Sequence, residues 1–105
     1  MNLQIVGDHY DISPKTRNLI DEKITTPIDK LLTNFSPDAK TVHLRIGQDK
    51  FKNLKVSFDL TLPGKEHIFA TATHHLLESA LIDLQQEVEK QIKKYKERLT
   101  PYSLG

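Results

Sequence analysis

The chain has 105 residues, no cysteine, and 15 Lys plus Arg against 14 Asp plus Glu, which sizes it for one nearly neutral domain. Without cysteine there is no disulfide framework and no thiolate metal or redox chemistry, as fits a reducing compartment. Near-neutrality means that attraction to any anionic partner must come from where the cations lie, not from their sum.

The opening MNLQIVGDHYDIS has no cationic leader or apolar run, so no signal peptide is expected. No apolar stretch nears the roughly 18–20 residues that cross a bilayer; a cytoplasmic protein with no membrane partner is expected. Asn2 to Gly7 alternates, with Leu3 and Ile5 on one side, and predicts a strand. Ser13 followed by Pro14 is a helix start: a hydroxyl N-cap, then a residue whose missing N–H costs nothing there. Leu19, Ile20, Ile24, Ile28, Leu31, Leu32 and Phe35 extend an apolar stripe to about Phe35, with a kink or break expected near residues 23–27 because of Pro27. Ser36-Pro37-Asp38 closes that segment.

Thr41 to Gly47 puts Val42, Leu44 and Ile46 on one strand face. A polar connection, Gln48 to Asn53, carries Lys50 and Lys52. Leu54, Val56, Phe58, Leu60 and Leu62 then alternate without a fault. Pro63-Gly64 suits a type II turn into a strand from Glu66 to Thr73, with Ile68, Ala70 and Ala72 inward. A long helix from about His75 to Leu99 follows, its apolar face formed by Leu77, Leu81, Leu84, Val88, Ile92, Tyr95 and Leu99. The expectation is one α+β domain over residues 1–99 with a short tail, 100–105. Its order is βαβββα: a four-stranded mixed sheet with two helices packed on one face and the other face wet.

Little in this order suggests catalysis. Of the five histidines, His9, His43, His67, His74 and His75, His74 stands at i, i+4 to Glu78, but His74 and His75 are adjacent and no third ligand stands at a zinc spacing. Ser13, Ser36, Ser57 and Ser79 have cap, turn, strand and helix contexts, and no glycine-rich phosphate loop occurs. Neither an enzyme nor a metal or cofactor is expected.

The charge of the last helix changes sign along its length. Glu78, Asp83, Glu87 and Glu89 precede Lys90, Lys93, Lys94, Lys96 and Arg98, so five of the 15 basic residues fall within nine positions. Complementing the helix dipole explains the last turn better than Lys90. Lys90, Lys94 and Arg98 form one i, i+4, i+8 stripe. Lys15, Lys23 and Lys30 share an arc of an ideal first helix, roughly opposite its apolar stripe. Two cationic rows on one helical layer could bracket a folded RNA through its phosphates. Tyr95 and Phe35 point to the core, and Tyr10 and Tyr102 are isolated, so base stacking finds little support.

Read end to end, the chain resembles the ribosome hibernation promoting factors, short ribosome-associated inhibitors also labelled sigma-factor modulation proteins. The likeness spans nearly all of residues 1–99: the opening NLQIVGDHYDIS, the helix with Arg17 and Lys23, the run Ile68 to Ala72, and the closing KQIKKYKERL. That resemblance implies binding to the small ribosomal subunit and its ribosomal RNA near the decoding centre. There the family blocks messenger and transfer RNA sites and silences idle ribosomes in starvation or stationary phase. It implies RNA contacts from Arg17, Lys23 and Lys30 and from Lys90, Lys94 and Lys96; Lys15, Lys93 and Arg98 complete the basic set. A monomer is expected when free, with ribosome pairing left to a separate dimerising factor. Another structured-RNA regulator, or a protein-interaction module using the exposed sheet face, are the alternatives.

Overall fold

The computed structural model describes residues 2–33, 40–62 and 66–99. Phe35, the Ser36-Pro37-Asp38 and Pro63-Gly64 turns and the segment 100–105 lie outside these. Four strands form one sheet in sequence order: β1 (Asn2–Asp8), β2 (Thr41–Gln48), β3 (Leu54–Leu62) and β4 (Glu66–His74). β1 runs parallel to β2, with Asn2 opposite Thr41 and Asp8 opposite Gly47. The other two pairs are antiparallel, with Gln48 opposite Leu54 and Leu54 opposite His74. One helix crosses between β1 and β2 and a second, Leu77–Leu99, follows β4, giving the expected βαβββα order.

Alternation decides which sheet face is covered. Val42, Leu44 and Ile46, all five apolar positions of β3, and Ile68 and Ala70 are buried. Against them the helices bury Ile20, Ile24, Ile28 and Leu32, and Ala80, Leu81, Leu84, Val88, Ile92 and Tyr95. Leu3, Ile5 and Ala72 are partly buried and pack on this core. Burial of each large apolar side chain contributes about 1.5–3 kcal/mol, so this single two-layer core stabilises the domain.

The first helix opens as its sequence dictates. Ser13 is the N-cap, its Oγ accepting the Thr16 N–H at 3.1 Å, and Pro14 takes the first helical position. The chain is α-helical over Pro14–Ile20, widens to a π turn over Asp21–Thr25, and is α-helical again over Thr26–Leu31. Instead of breaking ahead of Pro27, the ladder slips by one residue: the Thr26 N–H bonds the Asp21 carbonyl, five positions back. Two causes coincide. Pro27 cannot donate to a carbonyl four residues earlier, and its ring clashes with that carbonyl in a regular helix. The buried residues Thr16, Ile20, Ile24, Ile28 and Leu32 also repeat every fourth position. At 3.6 residues per turn such a repeat drifts about 40° per step, and one wide turn takes up much of that drift.

The C-terminal end of this helix is fastened by a residue the sequence does not single out. Lys40 is buried, and its Nζ donates to the Leu32 carbonyl at 3.2 Å and to Asp29 Oδ1 at 3.4 Å. The Lys40 carbonyl meanwhile accepts the Asn2 N–H at 2.8 Å, so one residue joins helix end and the first strand. At the other end of β1, a Cβ on Gly7 would run into the Tyr10 carbonyl oxygen; only glycine allows that approach.

Candidate nucleic-acid interface

The last helix lies over β3 and β4, and the first helix packs beside it through its wide turn and last segment. The first helix therefore occupies the β1–β2 side of the same face. Both helices start at the end of the sheet where β2 turns into β3, and both run away from it.

Gln91 fixes the rotation of the last helix. Its Nε2 donates to the Phe69 carbonyl at 2.8 Å, and its Oε1 accepts the Phe69 N–H at 3.3 Å. The amide thereby satisfies one residue of the exposed β4 edge and marks the helix flank turned toward it. Lys94 and Arg98, three and seven positions on, share that flank and line a groove with His67, Ile68, Gln91 and Glu97. Arg98 Nη2 lies 3.3 Å from Glu66 Oε1. Burial, and secondarily the Glu66 carboxylate, push the nearby Tyr95 hydroxyl up from its ordinary range.

Lys93 and Lys96 stand roughly 140–200° around the helix from Gln91, which turns them toward the first helix. Lys93 Nζ lies 3.2 Å from Glu89 Oε1, and Gln85 Nε2 donates to Glu89 Oε2 at 3.0 Å. The Gln85 hydrogen bond, then Lys93, hold the Glu89 carboxyl below its usual range. Lys90 is exposed on the crown of the helix, 3.7 Å from Glu87.

On the first helix Lys23 is partly buried, 3.7 Å from Glu22, while Lys15, Arg17 and Lys30 are exposed. The wide turn lies between Lys15 and Lys30, so the arc expected of an ideal helix is not continuous through them. Lys30 ends near the pole reached by Lys94, Lys96 and Arg98. Lys15 and Arg17 lie at the opposite pole, beside the β2–β3 hairpin. Lys94 and Arg98 border β4, Lys90 stands on the crown, and it is Lys93 and Lys96 that border the first helix.

His74 corrects one expectation. It ends β4 rather than opening the helix, and its Nε2 lies 2.6 Å from Asp83 Oδ2 instead of facing Glu78. Among the described residues no three His, Cys, Asp or Glu side chains come together as a metal site. Sequence reading also passed over Phe51 and Phe69, both strongly exposed aromatics. The signal for Phe51 was its place in a polar connection, outside any apolar stripe.

These features define a class: an α+β domain with a one-sided helical layer edged by basic residues. The Sigma 54 modulation protein / S30EA ribosomal protein family model matches residues 3–100. The chain belongs to that family, whose members are ribosome-associated factors. It is similar to the crystal structure of the Thermus thermophilus Protein Y N-terminal domain, with a TM-score of 0.74 and 17% identity over 90% of this chain and 99% of that one. At that identity the likeness speaks for the fold. No curated protein sequence matches the chain. Among the described residues, no helix is long and apolar enough to cross a membrane.

Proposed function

We propose that this chain is a hibernation factor that binds the small ribosomal subunit near the decoding centre, blocks the messenger and transfer RNA sites, and inhibits translation in starved or stationary-phase cells. The supporting observation is the gathering of Lys30, Lys93, Lys94, Lys96 and Arg98 toward one pole of a helical layer in a chain of the S30EA ribosomal family. Lysine and arginine there neutralise backbone phosphates and release counterions, which positions the protein on folded RNA without reading sequence. Lys90, Lys93 and Arg98 each have a partly exposed carboxylate within 3.7 Å. Such surface pairs are worth about 1 kcal/mol or less, so phosphate can displace them at small cost. Binding and occlusion suffice for this activity, with no catalytic step or cofactor. Residues 1–99 act as the binding unit in the cytoplasm, monomeric when free, and a separate factor performs any pairing of ribosomes.

Sedimentation through a sucrose gradient with isolated small subunits tests the reading. The triple variant K90E/K94E/R98E is expected to lose at least about 100-fold in affinity, with binding of the parent chain falling steeply as salt rises. Its circular dichroism should match the parent's, because all three side chains are exposed. Unchanged co-sedimentation would sink the proposal, and a salt-insensitive complex would favour a protein partner on the open sheet face.

A further inference from the structure

The hairpin joining β2 to β3 is built to hold a single aromatic ring in solvent. Asp49 organises it: Oδ1 accepts the Phe51 N–H at 2.8 Å and the Asn53 N–H at 2.9 Å, and Oδ2 accepts from Asn53 Nδ2 at 3.3 Å. The backbone closes the same loop, with the Asp49 N–H donating to the Asn53 carbonyl and the Lys52 N–H to the Asp49 carbonyl, both at 3.0 Å. Lys52 takes a left-handed conformation, φ 65°, which turns the chain back into β3. The Asn53 backbone N–H foremost keeps the Asp49 carboxyl below its usual range, so the carboxylate that ties the loop stays ionised at neutral pH.

This frame leaves Phe51 67% exposed and outside the hydrophobic core cluster. Lys50 Nζ stands 5.3 Å from the ring centroid, over one face, and Lys52 follows on the other side in sequence. The result is an exposed aromatic plate with one cation over a face and a second lysine next to it in sequence, on a hydrogen-bonded tip. Lone exposed apolar residues are common and need no explanation. Here, however, the ring, the Lys50 ammonium over it, the adjoining Lys52 and the hydrogen-bonded turn occur together, and Lys15 and Arg17 begin the first helix at the same pole.

We propose that the Lys50-Phe51-Lys52 tip is a contact site for unpaired RNA: a nucleobase stacks on the open face of Phe51 while Lys50 and Lys52 engage the adjoining phosphates. Every base offers a π face, so such a platform tolerates sequence, and the flanking charge holds the backbone. The chemistry selects a single strand, because a base within a duplex has no free face to offer. The last helix alone is roughly 34 Å long, so the tip is a separate contact from the basic pole at the far end. The inference rests on the ribosome-binding reading only in taking RNA as the polyanion.

Binding of the full chain to fluorescein-labelled dodeca-adenylate, to a 12-base-pair RNA duplex and to small subunits tests it. The expected result is preference for the single strand over the duplex and about a tenfold loss for F51A on dodeca-adenylate. F51W should bind like the parent, K50A/K52A should bind more weakly, and F51A should also reduce small-subunit binding. Parent-like binding by F51A to both the oligonucleotide and the subunit overturns the proposal. So does a loss shared equally by F51A and F51W, which would make the ring a spacer and not a stacking partner. If K90E/K94E/R98E keeps full ribosome affinity while F51A still loses the oligonucleotide, the helical reading fails and the tip stands.

Discussion

The two helices cover the same sheet with different internal rhythms. The last one buries Ala80, Leu81, Leu84, Val88, Ile92 and Tyr95, mixing steps of three and four, and stays regular for 23 residues. The first buries Thr16, Ile20, Ile24, Ile28 and Leu32, always four apart, and needs a wide turn to keep them together. A mixed repeat holds phase with 3.6 residues per turn; a strict four does not. The flanks of the last helix can therefore be read from its sequence once a single contact fixes its rotation. Those of the first cannot be read across residues 21–25. The proposed function inherits the difference, because basic residues can meet phosphate only on the flank where they emerge.

Deleting one residue from each helix puts the contrast under the greatest strain. Loss of exposed Gln86 should swing Val88, Ile92 and Tyr95 by about 100° off the core, each worth about 1.5–3 kcal/mol. That approaches the whole stability of a small domain, and no cooperative thermal transition is expected. Loss of Glu22 from the wide turn together with P27A should leave a folded protein within about 2 kcal/mol of the parent, its first helix regular throughout. Deletion of Glu22 alone should cost about 3 kcal/mol more, because the proline ring then meets a carbonyl it now avoids. Equal tolerance at the two sites would refute this account of the wide turn.

A smaller effect separates the helix ends. K40A removes the donor held by the Leu32 carbonyl and the charge beside Asp29, and should cost about 2 kcal/mol in urea unfolding. The smallest effect belongs to Glu89. Its folded carboxyl titrates below the ordinary glutamate range, so its contribution is present above that range and is lost as pH falls through the folded value. Melting temperatures of the parent and E89Q should therefore differ slightly at neutral pH and converge in acid. A difference that grew on acidification would reverse the sign argued for the Gln85–Glu89–Lys93 chain.

Most of the architecture was legible because alternation and helical spacing report burial directly, as in β3, whose bounds the sequence reading set at Leu54 and Leu62. Pro27 located the irregular stretch, but the four-residue repeat that favours a widened turn over a break was visible only when spacing was counted. Lys40 was illegible because lysine ordinarily reads as exposed; its burial depends on the helix end above it. His74 looked helical through its spacing from Glu78, yet a bend at His75 and Leu76 gives it to β4 and to Asp83. The basic residues were easy to count and hard to aim. Which of them border β4 depends on the sheet order and on Gln91, two facts set by distant parts of the chain.

Gln91 has one more consequence. A rim strand with free amide and carbonyl groups is a template on which a second molecule can lay its own chain and begin a fibre. By lending its carboxamide to Phe69, Gln91 acts as a decoy strand one residue long, and a newcomer would have to evict it before the ladder could grow. A helix that grips the sheet in this way also guards the domain against growth along its own edge.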